Sequence, residues 1–408
     1  MVRGRLQTAV LGTIATAIVC GCHSKNSDGY PTWATQPRGY FPKEVSSNAF
    51  DAYALAAEQA EISGAAYLDR VSFFPGQRHQ VTETIQESVS KIISAAKKPF
   101  EFRFVAHKPF EPIKYQRGWR LIGRSLLWTV QDACIAADFD KAISAAVVGT
   151  RFGFDLTGGG ATDASLGLAI ADDMRKAIAP YMAKLSPVQL DRLAKGIKQA
   201  LDNKPPITNA VKNEQENVLQ AIQFLQDSLR DGTLRTVKRQ MGPDVSEAIQ
   251  YLEPLADNPK KRIPYFESLA KAADIEFAQV QQNCDLPVSG RPKPITKYDA
   301  PWKKLAKHVF GAARPLVEIN DATVARTRLL ILYAQINRLG IRNKAFPTNL
   351  DGFTKAMTID PYSGSPFLYH ADQAEFSLYS VGKNGRDDGG DTDSTYTEPD
   401  LRLECPAQ

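Results

Sequence analysis

From Ser46 to Cys284 apolar residues recur every three to four positions, the spacing that lines one face of an α-helix. Ser47 and Asn48 offer a cap for a first helix in which Phe50, Tyr53, Ala54 and Ala57 share a face. A second stretch, 82–96, places Ile85, Val89, Ile92 and Ile93 on one side, and a third, 119–137, carries Leu121, Leu126, Leu127, Val130 and Cys134. After a turn over 137–140 the pattern resumes in 141–148, and then in 164–185, 187–201, 209–229, 245–255 and 265–282. Ser186-Pro187 is a start signal, with serine as cap and proline in the first turn; Asp231-Gly232 is a stop. The alternation of helix, short turn and helix predicts helical hairpins. It lacks the regular period of tetratricopeptide repeats, so the expectation is an irregular α-hairpin array.

The pattern changes after Cys284. Residues 285–303 hold four prolines and predict a linker, continued by a short helix to 319. Asp321 then reads as the cap of a long helix whose Ala325, Leu329, Leu332, Ile336 and Leu339 form one apolar stripe, with Gly340 ending it. Beyond it, short alternating runs at 367–370 and 376–381 flank a polar turn, the signature of an antiparallel β-hairpin. The expected fold is therefore mainly α: a helical domain over 46–284, a Pro-rich linker over 285–319, and a small C-terminal α+β module over 320–408.

The N-terminus carries a different message. Arg3 and Arg5 precede an uncharged run over 8–19, shorter than the roughly 20 apolar residues of a membrane-spanning helix. This predicts a signal peptide over 1–21. Val19-Cys20-Gly21-Cys22 resembles a bacterial lipobox, which implies cleavage after Gly21 and lipid on Cys22. The alternative is a plain secretory signal with Cys22 an ordinary thiol. Residues 22–45, rich in Pro, Gly, Ser and Asn, read as a flexible tether. The expected location is the cell envelope, anchored to a membrane through the lipid. His23, in place of the aspartate associated with inner-membrane retention, favours the outer membrane.

Composition narrows the function classes. The 408 residues are 43% hydrophobic and 23% charged, the balance of a globular chain. A net charge of +5, without basic patches interleaved with aromatics, argues against nucleic acid as a partner. That mild total conceals a split, because residues 360–408 hold ten acids and three bases. Five cysteines exclude a disulfide-dense scaffold. Cys134 falls on an apolar helix face and is expected in the core, while Cys284 and Cys405 lie in irregular segments of an exported chain and are candidates for a bridge. No reaction is legible. His79, His107, His308 and His370 are scattered without metal spacing, no G-x-S-x-G occurs, and Gly158-Gly159-Gly160 is not followed by the GK[ST] of a phosphate loop. Asp172-Asp173 sits in a helical stretch and reads as surface charge.

Three C-terminal segments carry a family likeness: 346–350 (Phe-Pro-Thr-Asn-Leu), 360–367 (Asp-Pro-Tyr-Ser-Gly-Ser-Pro-Phe) and 380–385 (Ser-Val-Gly-Lys-Asn-Gly). Following a long helix in this order, they resemble the soluble domain of the major pseudopilin of type II secretion systems, over about residues 320–395. The whole layout resembles exported bacterial lipoproteins with a long helical body. The chain departs from a pilin in lacking a prepilin cleavage site and in carrying the extra Ser363, so the resemblance implies a fold and an ion site rather than a pilus shaft. Four carboxylates, Asp387, Asp388, Asp391 and Asp393, fall within seven residues and repel one another unless a cation intervenes. Calcium takes six to eight oxygens in flexible geometry. By resemblance Ser380, Asp387 and Asp388 match the family's calcium ligands, and Asp391 lies where a backbone carbonyl is used. Such an ion would be structural. The alternative is a solvated acidic tail with no metal. The functional expectation is a membrane-anchored scaffold or interaction protein with protein partners. Its rivals are an accessory component of a type II secretion or pilus-like system, and an envelope hydrolase whose site is assembled by the fold.

Overall fold

The computed structural model describes residues 42–103, 115–235, 250–292, 312–372, 375–390 and 400–403, and these are mainly helical. The body comprises α1 (Ala49–Ser63), α2 (Pro75–Thr84), α3 (Gln86–Ala95), α4 (Gln116–Ile135), α5 (Phe139–Leu156), α6 (Ala161–Ile178), α7 (Pro187–Asp202), α8 (Ile207–Arg230) and α9 (Pro259–Asn283). The long α10 (Ala313–Asn343) and short α11 (Lys355–Thr358) lead to β1 (Leu368–Ala371), β2 (Phe376–Ser380) and β3 (Leu401–Arg402), an antiparallel sheet in the order β1-β2-β3. This is the mainly α fold with a small C-terminal α+β module that the pattern predicts. None of the described helices is long and apolar enough to cross a membrane.

Local chemistry explains the helix starts. Asn48 Oδ1 accepts from Phe50 N at 3.0 Å and Glu101 N at 3.1 Å, while its Nδ2 donates to Glu101 O at 2.8 Å. One side chain thus caps α1 and stitches it to the segment after α3. Ser186 and Gln189 form a reciprocal capping box at α7, with Pro187 in the first turn. Neighbours in sequence pack as hairpins: α4 on α5, α5 on α6, and α8 on α9. Helices α5 and α6 touch backbone to backbone at Gly153 and Gly167, where an added Cβ would lie 2.5 Å and 2.2 Å from the other glycine's carbonyl oxygen.

Several boundaries differ from the sequence pattern, each for a local reason. The run 82–96 is two helices, broken at the buried Ile85, and the break turns Val89 and Ile92 inward as α3 packs on α1. The run 164–185 ends as α6 at Ile178 and continues in a 3₁₀ turn containing Pro180. Asp321 is not a cap. Helix α10 starts at Ala313, and Asp321 lies buried inside it, paired with Arg291. Nor does Gly340 end α10: an added Cβ there would sit 2.4 Å from the Phe346 ring, so its bareness serves packing, and the helix ends at Lys344 in a left-handed conformation (φ 56°). The two-residue β3 had no signal in the pattern.

Helix α10 organises the interior. Its Ala313 and Val317 join the core that α8 and α9 form with Phe224, Phe266 and Phe277. Leu316 joins Phe154, Leu168 and Ile207 in a second core. Leu329, Leu330, Ile331, Leu332 and Ile336 join the largest, which holds Phe50, Tyr53, Trp119 and Phe152 together with Met357, Phe367, Leu378 and Leu403 of the sheet module. Each fully buried aliphatic side chain there contributes about 1.5–3 kcal/mol. The start of the expected linker is docked rather than free. Val288 N and Ser289 N donate to Pro361 O (3.0 Å) and Tyr362 O (2.9 Å), and Ser289 Oγ to Ser363 O (3.2 Å).

Candidate cation-binding loop

Strand β2 ends on Ser380, which is fully buried. Its hydroxyl bonds both oxygens of Asp360 at 2.9 Å and accepts from Gly382 N at 3.1 Å. The same Asp360 carboxylate accepts from Tyr362 N (2.9 Å) and Val381 N (3.2 Å). One buried acid therefore closes the Asp-Pro turn and ties it to the strand end. Burial raises the Asp360 pKa, and these donors and the nearby Arg328 oppose the rise.

The loop after β2 folds through Gly382, Gly385, Gly389 and Gly390, all with φ between 61° and 77°, the left-handed region where a Cβ is strained. Asp387 Oδ1 accepts from Tyr379 Oη at 3.0 Å and Gly389 N at 2.9 Å. Asp388 Oδ2 accepts from Asn384 Nδ2 at 2.7 Å. Asp400, entering β3, is 1% exposed; its Oδ2 accepts from Asp388 N (3.0 Å) and Gly390 N (2.8 Å), and its Oδ1 is buried with no hydrogen-bond partner. Burial, with Asp388 and Asp387 adding to it, raises the Asp400 pKa against the pull of the two backbone donors. The three acids share one electrostatic environment, and each spends a single oxygen on these bonds.

Of the residues expected at the ion site, the structure brings Asp387 and Asp388 together and adds Asp400. It commits the hydroxyl of Ser380 to Asp360. Asp391 and Asp393 lie outside the described residues. No group of three or more His, Cys, Asp or Glu side chains close enough to hold a metal occurs among the described residues. The orphaned Oδ1 of Asp400 fits a cation, because a buried acceptor without a donor costs free energy that an ion recovers. Sequence reasoning missed both Asp360 and Asp400. The Asp-Pro motif marked the first as a turn residue without revealing its acceptors, and the second is separated in the chain from the acids it joins.

The remaining sites are quickly placed. Cys22 and Cys405 lie outside the described residues. Cys284 caps α9, half-buried, with its thiol donating to Val280 O at 3.3 Å and burial pushing its pKa up to about 11. Cys134 is buried in the largest core, as its apolar face predicts. A cavity of about 210 Å³ opens between α9, α10 and the Asp-Pro turn. Its charges neutralise one another: Arg291 with Asp321, Arg314 with Glu276, and Lys383 with Glu318. That leaves it no group poised as acid, base or nucleophile. No protein family, curated protein or solved structure matches this chain.

Proposed function

We propose that this protein is an exported scaffold, anchored to the envelope through lipid on Cys22, that presents its C-terminal module to protein partners. The observation that carries this reading is the sharing of α10 between the helical body and the sheet module, with Leu329–Ile336 of α10 and Phe367, Leu378 and Leu403 in one core. A module held in this way keeps a fixed attitude to its body, which suits presentation rather than turnover. The outer membrane is the favoured location, and nucleic acid is not a partner. Metabolic labelling with a radioactive fatty acid tests the anchor. Wild-type protein takes up label and fractionates with the outer membrane, while Cys22→Ala does neither; an unlabelled wild type rejects the reading.

The acid loop is part of the same proposal. Calcium held by Asp387 and Asp388, with Asp391, Asp393 and the orphaned Oδ1 of Asp400, would pin the end of the sheet. Titrating the full chain with calcium raises its melting temperature, and Asp388→Asn reduces the rise. No shift at millimolar calcium rejects the ion.

One feature favours the accessory role in secretion as a second reading. The two motifs that resemble a pseudopilin, the Asp-Pro turn and the Ser-x-Gly loop, are bonded to each other through Asp360. Crosslinking in cells that carry a type II secretion system would then recover pseudopilins with the wild type and not with Asp360→Ala.

A further inference from the structure

The loop 157–160, dismissed as a phosphate cradle, holds a pair of acids that the scaffold reading does not use. Asp163, on the first turn of α6, is 5% exposed. Its Oδ2 accepts from Gly160 N at 3.4 Å, and its Oδ1 is buried with no hydrogen-bond partner. Glu214 reaches the same helix start from α8 and accepts from Ala161 N at 3.1 Å and Asn217 Nδ2 at 3.5 Å. Asn213, one residue earlier, donates to Gly158 O at 2.9 Å and Gly159 O at 3.2 Å. The loop is therefore clasped on both sides by α8, and a Cβ on Gly159 would lie 2.6 Å from both Asp163 Oδ2 and Phe102 Cζ. None of its glycines has positive φ, so the three are bare because the clasp is tight.

No cation is spare to neutralise the pair. Arg151 on α5 is held by Asp155, which also takes Tyr53 Oη from α1. Arg103, beyond Phe102, faces Asp51. Lys204, on the connection to α8, donates to Pro205 O. On α8 itself Lys212 and Glu216 are exposed, and on α10 Asp321 faces Arg291. Glu214 is the charged group that acts on Asp163, and it raises the Asp163 pKa together with the larger effect of burial, to about 7. Burial raises Glu214 as well.

We propose that Asp163 and Glu214 share one proton and that this proton latches the loop 157–160 to α8. Two acceptors facing each other without a donor leave Oδ1 of Asp163 unsatisfied; a proton between them supplies the missing bond. Opening the latch exposes both acids to water, where they ionise at ordinary carboxylate pH. From about pH 4 to pH 7 the closed latch thus keeps a proton that the open one has lost. Each unit of pH across that window favours opening by roughly tenfold, and the trend flattens above pH 7.

Hydrogen exchange on the full chain tests the latch at Gly160 and Ala161, the two amides bonded to the acids. After correction for intrinsic rates, their opening equilibrium in the wild type rises at least tenfold from pH 5 to pH 7.5 and levels beyond. Asp163→Asn and Glu214→Gln, both isosteric, flatten the rise. An infrared band of a protonated carboxyl at pH 6, lost in Asp163→Asn, reports the proton directly in the folded protein. A pH-independent opening in the wild type, an undiminished rise in both variants, or the absence of that band overturns the proposal.

Discussion

Tyr53 and Asp155 meet 102 residues apart in the chain, deep in the largest core. The phenol donates at 2.9 Å, and Arg151 Nε lies 2.8 Å from the other carboxylate oxygen; even so, burial pushes Asp155 up to about 6. Tyr53→Phe keeps the ring against Phe152 and removes one donor from a buried acid, so we expect a loss of about 1–3 kcal/mol in urea denaturation. Glycines make the sharper contrast at this scale. Gly153→Ala drives a methyl to 2.5 Å from the Gly167 carbonyl, where rigid backbone cannot yield, and should cost about 1–3 kcal/mol or more. Gly76→Ala, in α2 with nothing within 4 Å, should be stabilising by roughly 0.5 kcal/mol through helix propensity. The same substitution thus has opposite signs at two helical sites, and paired denaturation curves check both.

Caps make predictions for elements. Asn48→Ala releases the start of α1 and its stitch to Glu101 together and should cost about 2 kcal/mol; Ser186→Ala, losing an exposed capping box, about 1 kcal/mol. Thermal melts of the two variants, compared with wild type, test the order. These are also the elements that the sequence displayed best, because a cap followed by a 3.6-residue stripe is local information. Asn48, Ser186 and the hairpin strands at Leu368–Ala371 and Phe376–Ser380 were all readable in that way. Asp321 misled because a buried acid and a helix cap use the same residue type, and its partner Arg291 lies 30 residues away. The site was half legible: Asp387 and Asp388 stand side by side in the chain, whereas Asp360, Asp400 and the Asp163–Glu214 pair acquire their roles only through contacts across elements.

At the scale of the molecule, a shared core predicts shared fate. Leu332→Ala opens a cavity where α10 meets the largest core, with a cost of about 2–5 kcal/mol. Since that core includes Phe367 and Leu378, amides of β2 and of α5 should lose exchange protection together as urea is raised, in the variant and in the wild type. Loss of β2 before α5 would show that the module is held less firmly than its packing implies. The place of α10 in the chain has a consequence for biosynthesis. Arg338 bonds Asp191 across 147 residues, and α10 contributes to all three cores, yet it is made near the end. A growing chain has its first nine helices while the grooves that α10 fills are still bare. Completion of the interior must wait for the last quarter of the polypeptide, so the nascent protein stays loose, sticky and easy to thread until synthesis is nearly done.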